Sequence, residues 1–218
     1  MNKPRICAVV TEVNPAALQE VEPLVDLFEV RIDIVGEAWP AVVKQLAKPW
    51  IACNRLSEEG GLWHDSEARR IEKLLQAIEL GAPMIDVELR THNLDNVVAA
   101  VKRRARCLIS AHDLDRTPPL DELRAIITRQ IKAGADICKV VTTARIPEDN
   151  VPVLSLVADG WPVPVVAFAM GPLGILSRLL SPLAGADFTY AAIAPDKASA
   201  AGQISAAEMR DIYGTIGV

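Results

Sequence analysis

The chain has 218 residues, 50% hydrophobic and 23% charged, a usage that excludes a disordered tail or linker and is sufficient to bury a large core. Its net charge of −5 and aromatic share of 4% supply neither a basic stripe nor a stacking platform, so nucleic acid is not expected as a partner. The start, Met1-Asn-Lys-Pro-Arg, carries no cleavable signal pattern and runs directly into an apolar strand over residues 5–11. Further β-rich runs follow at 27–33, 50–54, 84–89, 107–111, 137–141, 163–169 and 187–191. Between and after them the spacing predicts helices near 15–25, 37–47, 65–81, 93–104, 119–133, 148–158, 172–181 and 203–215. The longest uncharged stretch, 160–177, is broken by three prolines and by Gly171 and Gly174, which suits a buried strand and a helix start rather than a membrane span. Cys7, Cys53, Cys107 and Cys138 each sit in an apolar run without ligand spacing, the pattern of reduced, packed thiols in a cytoplasmic protein.

Every predicted strand is followed by a predicted helix, which requires parallel strands joined by crossover helices. Eight such units average about 27 residues, slightly under the roughly 31 of a typical barrel, so the expected fold is a compact α/β (β/α)8 TIM barrel forming a single domain over 1–218. A doubly wound open sheet is the alternative, but Thr11-Glu-Val-Asn-Pro is not the glycine-rich turn that such a sheet normally carries after its first strand. Only four residues precede the first strand, so little or no N-terminal capping hairpin is expected and the barrel base should be thinly covered.

Strand residues alternate between the barrel interior and the helix layer, so parity becomes a test of function. Glu29, Arg31 and Asp33 share one face, as do Asp86, Glu88 and Arg90, while Arg55, His112 and Lys139 stand at or near the C-terminal ends of strands 3, 5 and 6. Any one could be a solvated strand end, but together they converge on the rim where barrels build active sites, and burying them unpaired would cost several kcal/mol per ion. Lys139 is flanked by apolar residues; desolvation and neighbouring guanidinium groups are expected to lower its pKa and free an amine that can attack a ketone. His112 is the histidine placed to carry protons there, whereas His64 and His92 fall in predicted loops and read as surface residues. His112-Asp113 has no companion ligand at metal spacing, so no metal is expected. The run Met170-Gly-Pro-Leu-Gly-Ile-Leu-Ser-Arg opens a helix where barrels often hold anions, and Arg178 adds a cation suited to a carboxylate.

These landmarks, with Arg55-Leu-Ser-Glu-Glu59-Gly-Gly, Thr117-Pro118 and Lys197-Ala-Ser199-Ala-Ala-Gly-Gln203, occur in an order that resembles the type I 3-dehydroquinate dehydratases of the shikimate pathway, from strand 2 to the last loop. The resemblance implies that Lys139 forms an imine with the C3 ketone of 3-dehydroquinate and that His112 carries the C2 proton, with Glu59 orienting and charge-tuning it. It also implies that Arg178 and Gln203 grip the substrate carboxylate under Ser199, that Glu29, Arg31 and Arg55 bind ring hydroxyls or balance charge, and that no external cofactor is needed. The small-residue loop 194–203 reads as a lid. Ala201 and Asn54 depart from the family's usual proline and threonine, which bears on lid stiffness and on the surroundings of Arg55. Two rivals are a Schiff-base aldolase on the same fold and a catalytically silent metabolite-binding barrel. Family resemblance also implies a homodimer, for which the apolar helices near 148–158 and 172–181 are the expected interface.

Overall fold

In the computed structural model, which describes residues 3–218, the alternation read from the sequence forms throughout. The elements are β1 (Ile6–Val10), α1 (Pro15–Val21), β2 (Leu27–Arg31), α2 (Ile32–Val35), α3 (Trp39–Val43), β3 (Trp50–Cys53), α4 (Glu67–Glu79), β4 (Met84–Glu88), α5 (Leu94–Val101) and β5 (Arg106–His112). They continue with α6 (Leu120–Lys132), β6 (Ile137–Thr143), α7 (Asn150–Ala158), β7 (Val165–Met170), α8 (Ile175–Ala184), β8 (Thr189–Ala192) and α9 (Ala206–Thr215). All strand pairs are parallel, in the order β7-β6-β5-β4-β3-β2-β1-β8, so the chain is a nearly closed (β/α)8 barrel. Among the described residues β1 is the first strand, and no helix is long and apolar enough to cross a membrane.

Alternation along each strand divides the molecule into two apolar regions. Outward residues such as Ile6, Ala8, Val10 and Val140 pack beneath the helices, while inward Cys7, Leu27, Ile51, Leu108, Ile137 and Phe188 fill the lower half of the barrel. Above that dry floor the inward positions become charged, and Ser110 stands in register with Lys139 on the neighbouring strand. All four cysteines are buried and free.

Several segments differ from the sequence expectation. Strand β2 ends at Arg31, two residues early, because α2 begins at Ile32 and the Asp33 carboxylate folds back onto the Arg31 guanidinium in a two-pronged pair of 2.9 and 2.7 Å. Asp33 therefore does not share a strand face with Glu29. Strand β4 likewise ends at Glu88, and Arg90 turns outward to solvent rather than continuing the inward row. The helix expected near 37–47 is reduced to a 3-10 turn at Gly36–Ala38 followed by the short α3.

The sheet closes unevenly. Across the β7–β8 seam the Asp187 N–H donates to the Val165 carbonyl (3.0 Å), and higher up the Arg178 guanidinium reaches in from α8 and donates to the Tyr190 carbonyl (3.3 Å). An arginine of the outer helix layer reaches the barrel mouth because this seam is not zipped by a full ladder.

Candidate active site

Lys139 projects from β6 into the barrel and is 3% exposed. Its Nζ donates to Asp86 Oδ2 at 3.0 Å and Glu29 Oε2 at 3.1 Å, and it lies 4.2 Å from the centre of the Tyr190 ring. The expectation of a lowered lysine pKa is corrected here. Burial pulls the amine down, but the carboxylates of Asp86 and Glu29 outweigh it and hold the pKa above its ordinary value. Guanidinium groups are not its nearest charged neighbours; carboxylates are. The resting amine is an ammonium, and a protonated imine formed in its place would inherit the same two counter-charges.

Arg55 organises the other side. Its Nη2 reaches Asp86 Oδ2 at 2.6 Å, and its Nη1 reaches Ser110 Oγ at 2.7 Å and Glu88 Oε1 at 3.1 Å. Ser110 in turn donates to Asp86 Oδ1 (2.6 Å). Burial raises the Asp86 carboxyl, but Arg55 and Lys139 prevail and hold it below its ordinary range.

Glu59 comes from the short turn Ser57–Glu59 after β3 and places Oε2 2.8 Å from His112 Nδ1. That turn is tight enough to need its second glycine, since a Cβ on Gly61 would lie 2.0 Å from the Arg55 carbonyl oxygen. Burial pushes the Glu59 carboxyl up to about 7 against the pull of Arg55, and Glu88 and Asp86 add to the rise. Burial, with Arg55 and Lys139, pushes the His112 imidazole well below its ordinary value, so the ring stays neutral near pH 7. An ionised Glu59 accepts a hydrogen bond from Nδ1–H, which keeps the ring proton on Nδ1 and leaves the Nε2 lone pair free, the tautomer a general base requires.

Arg178 sits over the Phe168 ring at 4.2 Å, with Nε and Nη2 buried and unpartnered. Among the described residues it is the buried cation without a carboxylate partner, and burial pushes its pKa down to about 9. A guanidinium in that condition has a vacancy for an anion. Opposite it, Gln203 Oε1 accepts from the Ser199 N–H (2.7 Å) and hydroxyl (3.0 Å), which leaves the Gln203 amide nitrogen to donate elsewhere.

One pocket gathers all nine residues singled out from the sequence: Lys139, His112, Glu59, Glu29, Arg31, Arg55, Arg178, Ser199 and Gln203. His64 and His92 are exposed, as their loop positions suggested. Sequence reasoning put Asp86 on the inward face with Glu88 but gave it no role, and it missed Tyr190, which sits at inward parity on β8. Tyr190 also donates its hydroxyl to Glu29 Oε2 (2.7 Å).

The loop over the pocket is docked. Gly171 N–H donates to Ala201 O (2.9 Å), and Lys197 pairs with Glu12 beyond β1 (2.9 Å). Gly202 has φ +73°, and a Cβ there would lie 2.2 Å from the Gly171 carbonyl oxygen. The bond at Ala201 uses its carbonyl, a contact that proline at this position would also make.

The family model "Type I 3-dehydroquinase" matches residues 6–218. A protein of Dehalococcoides mccartyi named 3-dehydroquinate dehydratase is 39% identical over 216 residues, covering 99% of this chain and 97% of that relative. One from Thermococcus gammatolerans with the same name is 39% identical over 188 residues, 86% of each chain. The crystal structure of 3-dehydroquinate dehydratase from Geobacillus kaustophilus superposes with a TM-score of 0.88 at 26% identity, covering 99% of this chain and 92% of that one.

Proposed function

Because the chain belongs to the type I 3-dehydroquinase family, we propose that it dehydrates 3-dehydroquinate to 3-dehydroshikimate through an imine on Lys139, in the cytoplasm. Dehydration of 3-dehydroquinate is the shikimate-pathway activity this family carries; the covalent route rests on one observation, a buried amine clasped by two carboxylates within reach of the same pocket as His112.

The ammonium passes a proton to one of the two carboxylates that hold it as the ketone arrives, and Nζ attacks C3; that proton is then returned to the carbinolamine hydroxyl, which leaves as water, so that a protonated imine forms between two ionised carboxylates. Asp86 and Glu29 stabilise that cation as they stabilised the ammonium, so positive charge at Nζ is nearly constant between the two states. The imine withdraws electrons from C2, and His112 Nε2 removes a C2 proton to give an enamine. The enamine expels the C1 hydroxyl, which leaves as water with the proton returned by His112. Hydrolysis of the product imine restores the lysine. Arg178 and Gln203 hold the substrate carboxylate, and Ser199 closes over it. No external cofactor enters these steps.

Incubation with 3-dehydroquinate and borohydride, followed by peptide mass spectrometry, should place a reduced adduct on Lys139. A folded, fully unmodified lysine under saturating substrate would remove the mechanism.

The state of Glu59 sets the acid side of the pH profile. Its pKa is raised, so the carboxyl is protonated below about 7 and donates to Nδ1, which moves the imidazole proton to Nε2 and masks the base. The ratio kcat/KM should therefore fall as pH drops through about 7. In Glu59→Gln that limb should vanish and the maximal rate should drop by about 10²-fold, the lower range for impaired acid–base catalysis.

Arg178→Ala should chiefly raise KM, by roughly 10–100-fold, because a charge-assisted contact to the carboxylate is lost. Constant substrate affinity with a reduced kcat would contradict the carboxylate-clamp role.

We also place a homodimer contact on the α7–α8 face. Ile146, Val151, Leu173, Leu176 and Leu180 are exposed there, with Val151 63% and Leu176 55% accessible.

A further inference from the structure

Helix α4 carries an arginine on its core-facing side. Arg70 lies four, seven and eight residues before Leu74, Ala77 and Ile78, the buried stripe of that helix, and is itself 0% exposed. Its guanidinium is occupied on every side. Nε and Nη2 donate to the Glu67 carboxylate (2.7 and 2.8 Å), Nη2 also donates to Thr91 Oγ1 (2.9 Å), and Nη1 donates to the Asn54 carbonyl (3.3 Å) and to Glu88 Oε2.

Glu88 passes this hold forward. Its other oxygen accepts from the Leu56 N–H (3.1 Å) and faces Arg55 Nη1 (3.1 Å), and that same Nη1 is 3.9 Å from Glu59 Oε2. Arg70 thus grips the backbone just before Arg55, the carboxylate that restrains Arg55, and, through Leu56, the start of the turn that carries Glu59. It does not line the substrate pocket.

We propose that Arg70 is a positioning residue: by neutralising Glu88 from behind, it leaves Arg55 shared with Asp86 and Glu59 and so sets the pH at which the Glu59–His112 pair becomes a competent base. The inference rests on the imine mechanism above. Glu59 is faced by Arg55 from the end of β3, Asp86 and Glu88 from β4, Arg90 beyond β4, and His112 from β5. Of these, Arg55 is the buried cation that favours the Glu59 anion. Without Arg70, Glu88 has Arg55 as its sole cation and draws it away from Glu59, and a carboxyl that loses a cation titrates higher.

The test compares three variants by kcat, KM and the acid limb of the pH profile, with borohydride trapping run on each. Arg70→Gln should lower kcat by about tenfold or more, as loss of outer-shell support commonly does, with KM little changed because Arg70 does not reach the pocket. Its limb should move up by about half a pH unit or more. Arg70→Lys keeps the charge beside Glu88 and should return the limb toward the wild-type position. The double variant Arg70→Gln/Glu88→Gln removes the anion together with its cation, which keeps the fold accessible even if the single glutamine variant does not fold. Its limb should move down, because Glu88 no longer repels the Glu59 anion or competes for Arg55.

A folded Arg70→Gln with an unmoved limb, a lysine variant that fails to restore it, or an unmoved or raised limb in the double variant would each overturn the proposal. Trapping separates this from the mechanism beneath it. If wild type gives the Lys139 adduct while the limbs stay fixed, the role of Arg70 fails alone; if wild type gives no adduct, the mechanism itself fails.

Discussion

Lys139→Met should abolish borohydride trapping and lower turnover by roughly 10⁴-fold or more, the scale of loss seen when a covalent nucleophile is removed. Methionine nearly matches the lysine stem in volume, so the substitution removes the charge and the reacting nitrogen with little change of shape. What remains is two carboxylates that have lost a shared cation. Asp86 keeps Arg55 and Ser110, and Glu29 keeps the Tyr190 hydroxyl, so the destabilisation should fall near the low end of the range for a broken buried pair, about 3 kcal/mol.

The pH dependence of that loss is a further check on the geometry. In the wild type the Asp86 pKa is depressed, so its contribution to stability is present above the ordinary carboxylate range and disappears as pH falls through that range and below. The variant lacks part of this contribution from the start. Melting temperatures of wild type and Lys139→Met should therefore converge on acidification. Turnover within tenfold of wild type in a folded Lys139→Met would end the covalent reading, whatever the stability data gave.

Parity along the strands makes much of this pocket legible from sequence, because alternation is a local property of an extended chain. Glu29, Arg31, Glu88, His112 and Lys139 follow from it once eight parallel strands are counted. Asp33 does not, since the strand yields to helix at Ile32 and the pattern of charges continues for one more step than the backbone does. The charge on Lys139 is not legible either. It depends on which inward residues of β2 and β4 share its level across the barrel, and that level is set by the stagger of the strands. Arg70 is a middle case. Beside Arg69 it reads as one of two basic residues in the first turn of a surface helix, yet only position 70 falls in phase with Leu74, Ala77 and Ile78. An arginine at a core position of an amphipathic helix is a signal that something acidic lies behind the sheet.

His112→Ala should separate the two halves of the proposed chemistry. Removing the imidazole takes away the carrier of the C2 proton, and turnover should fall by ~10²–10⁴ or more, the usual range for a lost general acid–base. Condensation of Lys139 with the ketone needs the amine and its carboxylates, all of which remain, so a borohydride-trappable adduct should still form and should accumulate in the steady state. In deuterated water the variant should exchange the C2 protons of bound substrate far more slowly than wild type. Glu59 loses its partner at Nδ1 but keeps Arg55 at 3.9 Å, and the vacated space beside it should admit free imidazole, giving partial rescue that rises with imidazole concentration. The pattern differs from that of Arg178→Ala, where binding weakens and proton transfer persists. Rapid C2 exchange in His112→Ala without added imidazole would assign proton removal to another group, and Glu29 or Asp86, already in contact with the Lys139 amine, would become the candidates.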